Sequence, residues 1–122
     1  MPCDCELDLG RRLVRACAWG TVTYDEVMAT RRKFTSDPNF KPDFNQIYDG
    51  RGVTRINITA SEIGLLAMDD VFGPTSRRAL IAPRSDTFAF GRTFHLYRQI
   101  NAGKEQIKIV HSLEEAEAWL AN

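Results

Sequence analysis

Three cysteines near the N-terminus have the type and spacing that metal binding would use. Cys3 and Cys5 are separated by one residue, and Cys17 follows further along the chain. A zinc site needs a full tetrahedral set of ligands, and the two histidines, His95 and His111, lie far away in sequence. Strand register, described below, also places Cys17 on the face opposite to Cys3 and Cys5. We therefore predict no metal site and reduced, structural thiols.

His95 is the residue best suited by type to act as a general base. It lies between Phe94 and Leu96 in an aromatic segment. A catalytic histidine needs a nucleophile and an orienting group within hydrogen-bond reach. The sequence has no Gly-Ser-Gly elbow, paired-carboxylate motif or His–Cys pairing to supply them. We therefore predict no catalytic residues, no enzyme activity and no cofactor.

Thr59 and Ser61 are hydroxyl side chains at the start of a predicted helix. A phosphate group there would meet the positive end of the helix dipole, so either residue suits a phosphoacceptor. Alternatively, Thr59 is the N-cap, and its hydroxyl accepts a hydrogen bond from a free backbone N–H group. We favour the cap, because Glu62 completes a T-x-x-E capping box.

The segment Asp49-Gly50-Arg51-Gly52 is predicted to be a glycine-rich loop at the C-terminal end of a strand. Its glycines would expose backbone N–H groups to an anion, and α/β domains bind ligands at this end of a parallel sheet. It is not a P-loop, because the Gly-Lys-Ser/Thr ending is missing. The alternative is a flexible turn without a ligand.

The elements that position these residues follow from changes in the apolar period. Alternation predicts an N-terminal hairpin of strands 3–8 and 12–20 around a two-residue Leu9-Gly10 turn. This register places Cys3 and Cys5 with Val14 and Ala16, and Cys17 with Leu13 and Trp19. Capping boxes at Thr23, Thr59 and Ser112 begin three helices, and another helix covers about residues 86–102 with Gly103 as its C′ residue. The remaining strands are predicted at 44–48, 78–82 and 107–110.

The predicted order ββαβαβαβα indicates an α/β domain with a mixed, mostly parallel sheet. The antiparallel hairpin supplies an edge strand, and about four helices cover the sheet. The length suits one domain over residues 1–122. Lysine plus arginine and aspartate plus glutamate both count 16, so a dedicated nucleic-acid binder is not expected. Neither a signal peptide nor a membrane-length apolar run is recognisable, so we expect a cytoplasmic protein.

The segment 47–66, IYDGRGVTRINITASEIGLL, resembles the SpoIIAA-like (STAS/SEC14-like) family, which is related to anti-sigma-factor antagonist STAS domains. The shared features are a strand ending in Asp49, the segment Gly52-Val53-Thr54 and the serine-bearing helix start at Ser61. Phe90-Gly91 and the closing segment 115–120 are also similar. The resemblance implies a STAS-like fold over nearly the whole chain, and the family brings little assigned activity.

In the antagonist proteins a serine in an Asp-Ser-Ser-Gly turn is phosphorylated, and this modification switches partner binding. The matching positions lie around Asn57, Thr59 and Ser61. The sequence departs from the motif, since the turn is missing and Asn57 stands where an aspartate is expected. The resemblance therefore favours a partner-binding module over a phosphoswitch.

Two functions remain open at this point. The first is a non-catalytic regulatory, protein-binding module of STAS type, with a partner surface that includes Asp49, Arg51, Asn57, Thr59 and Ser61. The alternative is a binder of a small apolar or anionic, lipid-like ligand, in a pocket between the aromatic helix and the Asp49 loop. Besides Phe88, the candidate pocket residues are Phe90, Phe94, His95 and Tyr97, although such aromatic residues more often pack in a core. A strand face with Leu13 and Trp19 would suit a homodimer.

Overall fold

The computed structural model describes residues 2–122 and confirms the predicted α/β fold class and element order. Within these residues five strands form one sheet, and their order in the sheet is their order in the chain. The first strand is an antiparallel edge, and the other neighbouring strands are parallel. The elements are β1 (Cys3–Asp8), β2 (Leu13–Thr23), α1 (Tyr24–Thr35), β3 (Asn45–Asn57), α2 (Ala60–Leu66), β4 (Arg77–Ile81), α3 (Ser85–Ile100), β5 (Gln106–Val110) and α4 (Leu113–Leu120).

The helices divide between the two faces of the sheet. From β2 to β5 the chain moves in one direction across the sheet, so successive crossover helices fall on the same side. α1, α2 and α3 pack on that face around Leu66, Phe94 and Ile107. α4 covers the other face over Leu13, Ile47 and neighbouring residues. The expected exposure of Leu13 is therefore wrong, because α4 buries it, whereas Trp19 is exposed.

The N-terminal hairpin has the predicted faces but a longer turn. The chain reverses over residues 9–12 instead of at Leu9-Gly10 alone, and Arg12 adopts a positive φ of 50°. Cys3 pairs with Ala18 and Cys5 with Ala16. The longer turn shifts the pairing by an even number of residues, which leaves every side chain on its predicted face. Cys17 accordingly lies on the face opposite to Cys3 and Cys5.

The predicted Asp49–Gly52 loop is wrong, because β3 runs through it without a break. β3 pairs with the long strand β2 as far as Asn57, with register irregularities near Trp19 and Gly20. Gly50 and Gly52 instead allow neighbouring strands to approach closely. A Cβ atom at Gly50 would lie 2.8 Å from the Ile81 carbonyl oxygen, and one at Gly52 would lie 2.9 Å from the Trp19 Cβ. Close approach between strands therefore explains the glycines that suggested a loop.

The predicted role of Gly103 as C′ residue of α3 is also wrong. Ala102 takes that position with φ of 59°. The N–H group of Ala102 donates to the Gln99 carbonyl, and that of Gly103 donates to the Arg98 carbonyl, which together form a Schellman motif. Gly103 is required for another reason, because a Cβ atom there would lie 2.5 Å from Nη2 of Arg98.

A buried ion-pair network joins α3, β4 and the start of β5. Arg98 donates from Nε and Nη2 to both oxygens of Glu105, at 3.2 and 2.8 Å, and Arg78 Nη1 donates to the same carboxylate at 2.9 Å. Arg98 Nη1 also donates to the Ala67 carbonyl, which has no partner within the helix because it lies at the C-terminus of α2. Arginine from α3 thus stabilises the end of a helix that has no basic residue in its own last turn.

Among residues 2–122, no helix combines the length and the apolar character that crossing a membrane requires.

Candidate functional site

A cavity of about 110 Å³ lies between the sheet and the helices α1, α2 and α3. Most of its wall is aliphatic or aromatic. The strands contribute Tyr48, Val53 and Leu80 among others, and the helices contribute Val27, Leu66 and Phe90. The lining also includes Ile58 and Ala82, which directly follow the carboxyl ends of β3 and β4, and α/β proteins bind ligands at that end of a parallel sheet.

The periodicity of each element determines which side chains reach the cavity. On β3 the alternating residues Gln46, Tyr48 and Gly50 face it, because side chains of a strand point to opposite faces in turn. On α3 the helical spacing brings Phe90 and Phe94 to the same wall. Gly50 has no side chain, so it contributes only backbone atoms to the wall.

The cavity changes character along β3. Gln46 and its β4 partner Arg78 line one end, and Tyr48 with its partner Leu80 follows. Towards the C-terminal end of β3 the wall is apolar. Since a strand rises about 3.3 Å per residue, the distance from Gln46 to Gly50 corresponds to roughly 13 Å. The cavity therefore has a polar end and an apolar end, and the apolar wall includes Val22, Val27, Val53, Ile56, Ile58 and Phe90.

Gln46 and Arg78 are buried and hydrogen-bonded to each other at the polar end. Arg78 Nε donates to Gln46 Oε1 at 2.9 Å, and Arg78 Nη1 donates to Glu105. The guanidinium carbon of Arg78 lies 4.6 Å from the ring centre of Phe72 and 5.2 Å from that of Phe94. Within residues 2–122, Nε2 of Gln46 and Nη2 of Arg78 form no hydrogen bond, so their N–H groups remain available as donors at this end of the cavity.

Arg31 of α1 also lines the cavity, and its side chain is 11% exposed. Nη2 donates to the Leu66 carbonyl at 2.8 Å. Nη1 is buried and has no hydrogen-bond partner in the part of the chain that the structure describes. The nearest carboxylate oxygen, Oδ2 of Asp69, is 3.6 Å away, on a side chain that is 62% exposed. Burial lowers the pKa of Arg31 from its ordinary value, and Asp69 only partly offsets this effect.

Buried positive charge exceeds buried negative charge around this end of the cavity. The guanidinium groups of Arg31, Arg78 and Arg98 are largely buried, whereas Glu105, at 1% exposure, is the buried carboxylate among their partners. Burial lowers the pKa of Arg78 to about 10, against the opposing effect of Glu105. Burial also disfavours the charged form of Glu105, but the hydrogen bonds from Arg98, the charge of Arg78 and further hydrogen bonds together outweigh it and lower the pKa of this carboxyl.

The phenol and the thiols near the cavity are held in their neutral forms. Burial raises the pKa of Tyr48 well above its ordinary value, and its hydroxyl lies 3.9 Å from Cys3 Sγ. Burial likewise raises the pKa values of Cys3 and Cys5, and also that of Cys17 on the opposite face of the sheet. A thiol with a raised pKa is a poor nucleophile and a poor metal ligand. Among residues 2–122 no group of three or more His, Cys, Asp or Glu side chains is placed to hold a metal ion.

The structure places Asp49 and Arg51 on the sheet face opposite to the cavity, because they alternate with Tyr48 and Gly50. Both oxygens of the Asp49 carboxylate accept from the Arg51 guanidinium, at 2.7 to 3.2 Å. These hydrogen bonds lower the pKa of Asp49 and raise that of Arg51. The pair thus satisfies its own charges, and the pocket borders the backbone at Gly50 but not the Asp49 side chain.

Asn57, Thr59 and Ser61 are exposed at the junction of β3 and α2. The Thr59 hydroxyl accepts from the Glu62 N–H group at 3.1 Å, and Glu62 Oε1 accepts from the Thr59 N–H group at 2.9 Å. The capping box predicted here is confirmed. The neighbouring residue Ile58 lines the cavity, so this segment borders the pocket from outside.

The aromatic helix contributes only part of its predicted set to the cavity. Phe90 and Phe94 line it, whereas Tyr97 packs beside Gly64 of α2, and His95 is not among the lining residues. Successive helical residues are about 100° apart, so His95 points away from the direction of Phe90 and Phe94. Tyr97 lies on the same side of α3 as these two residues but about two turns beyond Phe90, which places it against α2 instead of the cavity. Phe88 stacks on His111, with ring centres 5.6 Å apart.

Arg31, Gln46 and Arg78 were not predicted as site residues from the sequence. One signal was present, since Gln46 alternates with Phe44 and Tyr48 and is therefore a polar residue on a predicted buried face. Arg78 similarly occurs in a strand that continues with Ala79, Leu80 and Ile81. Arg31 gave no signal, because an arginine on an amphipathic helix is normally exposed.

Comparison with known proteins gives no assignment to add to this geometry. No protein-family model, no curated protein and no solved structure matches the chain.

Proposed function

We propose that this protein is a non-catalytic binding module that holds a small, largely apolar ligand in the cavity between the sheet and α1–α3. The observation that carries the proposal is the cavity, with an apolar wall that continues into a cluster of polar side chains. Ligand pockets in proteins commonly combine an apolar lining with a few polar groups that orient the ligand. Phe90 and Phe94 supply part of that wall.

The cavity volume limits the ligand that it can enclose. An engineered, apolar cavity of about 150 Å³ binds benzene. The 110 Å³ found here is somewhat smaller. It suits a short aliphatic group or a single small ring, and a longer ligand would have to extend towards the surface.

The polar groups around the cavity are better suited to bind a ligand than to catalyse a reaction on it. The Thr30 and Thr87 hydroxyls already donate to the carbonyls of Glu26 and Arg84. The neutral phenol of Tyr48 and the guanidinium groups are suited to orient a ligand. We therefore propose recognition as the function of this cavity.

Filling the cavity is expected to weaken ligand binding. Ala82 lines the cavity, so Ala82→Leu would occupy part of it, whereas Ala89 is exposed on α3 outside the lining. With 3-methylbutanoate, 3-methylbutanamide, benzoate and benzamide as probes, wild-type protein and Ala89→Leu should bind at least one probe and gain thermal stability. At a probe concentration of about 100 Kd the gain would be roughly 2.7 kcal/mol. Ala82→Leu should lose at least tenfold in affinity.

Unfolding curves of both variants would show whether Ala82→Leu remains folded, and Val27→Leu is a milder filling variant. Calorimetric titration would measure the affinities. The proposal fails if wild-type protein binds none of the four probes, or if both filling variants bind as tightly as wild type.

A second proposal is that the domain is a regulatory protein-interaction module of the STAS type that its sequence resembles. Support comes from exposed apolar side chains on α2 and α3, next to the segment Asn57–Ser61. The two helices contact each other, and the exposed apolar side chains are Leu65 of α2, Met68 just after its C-terminal end, and Leu96 and Ile100 of α3. Exposed apolar residues concentrated on adjacent helices are typical of a protein contact surface.

Charge placed on this surface is expected to weaken partner binding without unfolding the protein. Immobilised wild-type protein and the control Ser36→Glu, changed at the exposed end of α1, should capture the same partner. Ser61→Glu and Leu96→Glu should lose most of it in quantitative pull-downs. Equal capture by all four proteins would contradict this second proposal.

A further inference from the structure

We infer that the ligand carries a single carboxylate, which Arg31, Gln46 and Arg78 receive at the polar end of the cavity. This inference rests on the proposed binding function and names the chemical class of the ligand. All three side chains line the cavity, and each retains hydrogen-bonding capacity that the protein does not use. They come from α1, β3 and β4, so only the folded chain brings them together.

The unused capacity consists of N–H donors. Nη1 of Arg31 is buried without an acceptor, and Nε2 of Gln46 and Nη2 of Arg78 make no hydrogen bond within residues 2–122. Gln46 Oε1 already accepts from Arg78, so the amide presents its N–H groups. A buried donor without an acceptor destabilises the fold, and a ligand that supplies an acceptor to Arg31 Nη1 would recover part of that cost.

The charge balance favours an anion with one charge. Of the two guanidinium groups on the cavity wall, Arg78 is paired with the buried Glu105 at 2.9 Å. Arg31 has only the exposed Asp69, at 3.6 Å and beyond hydrogen-bond distance. About one buried positive charge is thus weakly compensated, which a monoanion would neutralise. A dianion would bring excess negative charge into a largely apolar cavity at a high desolvation cost.

The shape of the site favours a carboxylate with an apolar group attached. Two oxygens of a planar carboxylate match the paired N–H groups of guanidinium. Beyond the carboxylate of the ligand, the apolar wall that includes Val53 and Phe90 would enclose a short alkyl chain or one ring. The ligand class is therefore a small monocarboxylic acid with an apolar body.

Two pairs of probes that differ only in charge test this inference: 3-methylbutanoate with 3-methylbutanamide, and benzoate with benzamide. At pH 7, we expect wild-type protein to bind the better acid at least tenfold more tightly than its amide. Arg31→Met, which keeps an unbranched side chain but removes the charge, should bring this ratio close to one. Arg32→Met changes the adjacent, exposed arginine of α1 and should leave the ratio unchanged. Calorimetric titration gives all of these affinities.

The wild-type ratio tests the inference even if Arg31→Met does not fold. An amide that binds as tightly as its acid would overturn the carboxylate assignment and leave the proposed binding function standing. Retention of the tenfold preference in a folded Arg31→Met variant would also overturn the role of Arg31. If wild-type protein binds no member of either pair, the proposed function and this inference fail together.

Discussion

Replacement of Glu105 by leucine is expected to lower the free energy of unfolding by about 3–5 kcal/mol, which is the usual effect of removing one partner of a buried ion pair. The carboxylate of Glu105 accepts hydrogen bonds from Arg78 and from Arg98, at 2.8 to 3.2 Å. Leucine would leave both guanidinium groups buried without this acceptor. Urea unfolding at pH 7, followed by circular dichroism, would measure the loss.

Asp70→Asn provides a control on the same arginine. Asp70 accepts from Arg98 Nη2 at 2.8 Å, but its side chain is 75% exposed. Water screens such a pair, so this change should cost less than about 1 kcal/mol. If the two substitutions cost the same, burial of Glu105 does not determine the strength of the network.

The network also gives stability a specific dependence on pH. The pKa of Glu105 in the folded protein is lowered from its ordinary value of 4.5. A carboxyl group with a lowered pKa binds its proton more readily in the unfolded chain. Its contribution is complete above about pH 4.5 and is lost as the pH falls through the folded-state pKa. The Glu105→Leu variant should lack this part of the acid dependence.

Replacement of Gly103 by alanine is expected to cost about 1–3 kcal/mol, which is the typical effect of overpacking. The new Cβ atom would lie 2.5 Å from Nη2 and 2.7 Å from Cζ of Arg98. The end of an arginine side chain usually moves aside easily. Here it is held by Glu105, Asp70 and the Ala67 carbonyl, so displacement would break several buried hydrogen bonds.

Gly64→Ala is the matched control for this substitution. A Cβ atom at Gly64, inside α2, would approach no atom closer than 4.0 Å. Alanine in a helix interior is better than glycine by about 0.5–1 kcal/mol, so this variant should gain stability. Urea unfolding of both variants beside wild type would compare them. A Gly103→Ala protein as stable as wild type would show that Arg98 can move without cost.

The sheet faces and helix starts were predictable because they depend on nearby residues. Alternation along β1 and β2 separates Cys17 from Cys3 and Cys5 whatever the exact length of the turn, provided that the shift is even. Thr59 and Glu62 form their capping box across three residues of sequence. The order of strands and helices then led to a mostly parallel sheet with an antiparallel edge, as observed.

Glycine positions misled the prediction where the partner was distant in sequence. Gly50 and Gly52 suggested a loop, but they lie where β3 approaches Ile81 and Trp19. Gly103 suggested a helix end, yet the contact that requires it is with the guanidinium group of Arg98. A glycine shows that space is limited or that φ is unusual, and the sequence does not show which of the two applies.

The sequence by itself determined the α/β class, the element order and the absence of a recognisable catalytic motif. It also placed Phe90 and Phe94 on a helix that suits a pocket. Only the tertiary structure decided that a cavity forms there and that Arg31, Gln46 and Arg78 share its polar end. The physical reason is that local periodicity assigns each side chain to a face, whereas a cavity and its charge balance arise from contacts between α1, β3, β4 and β5, which lie far apart in the chain.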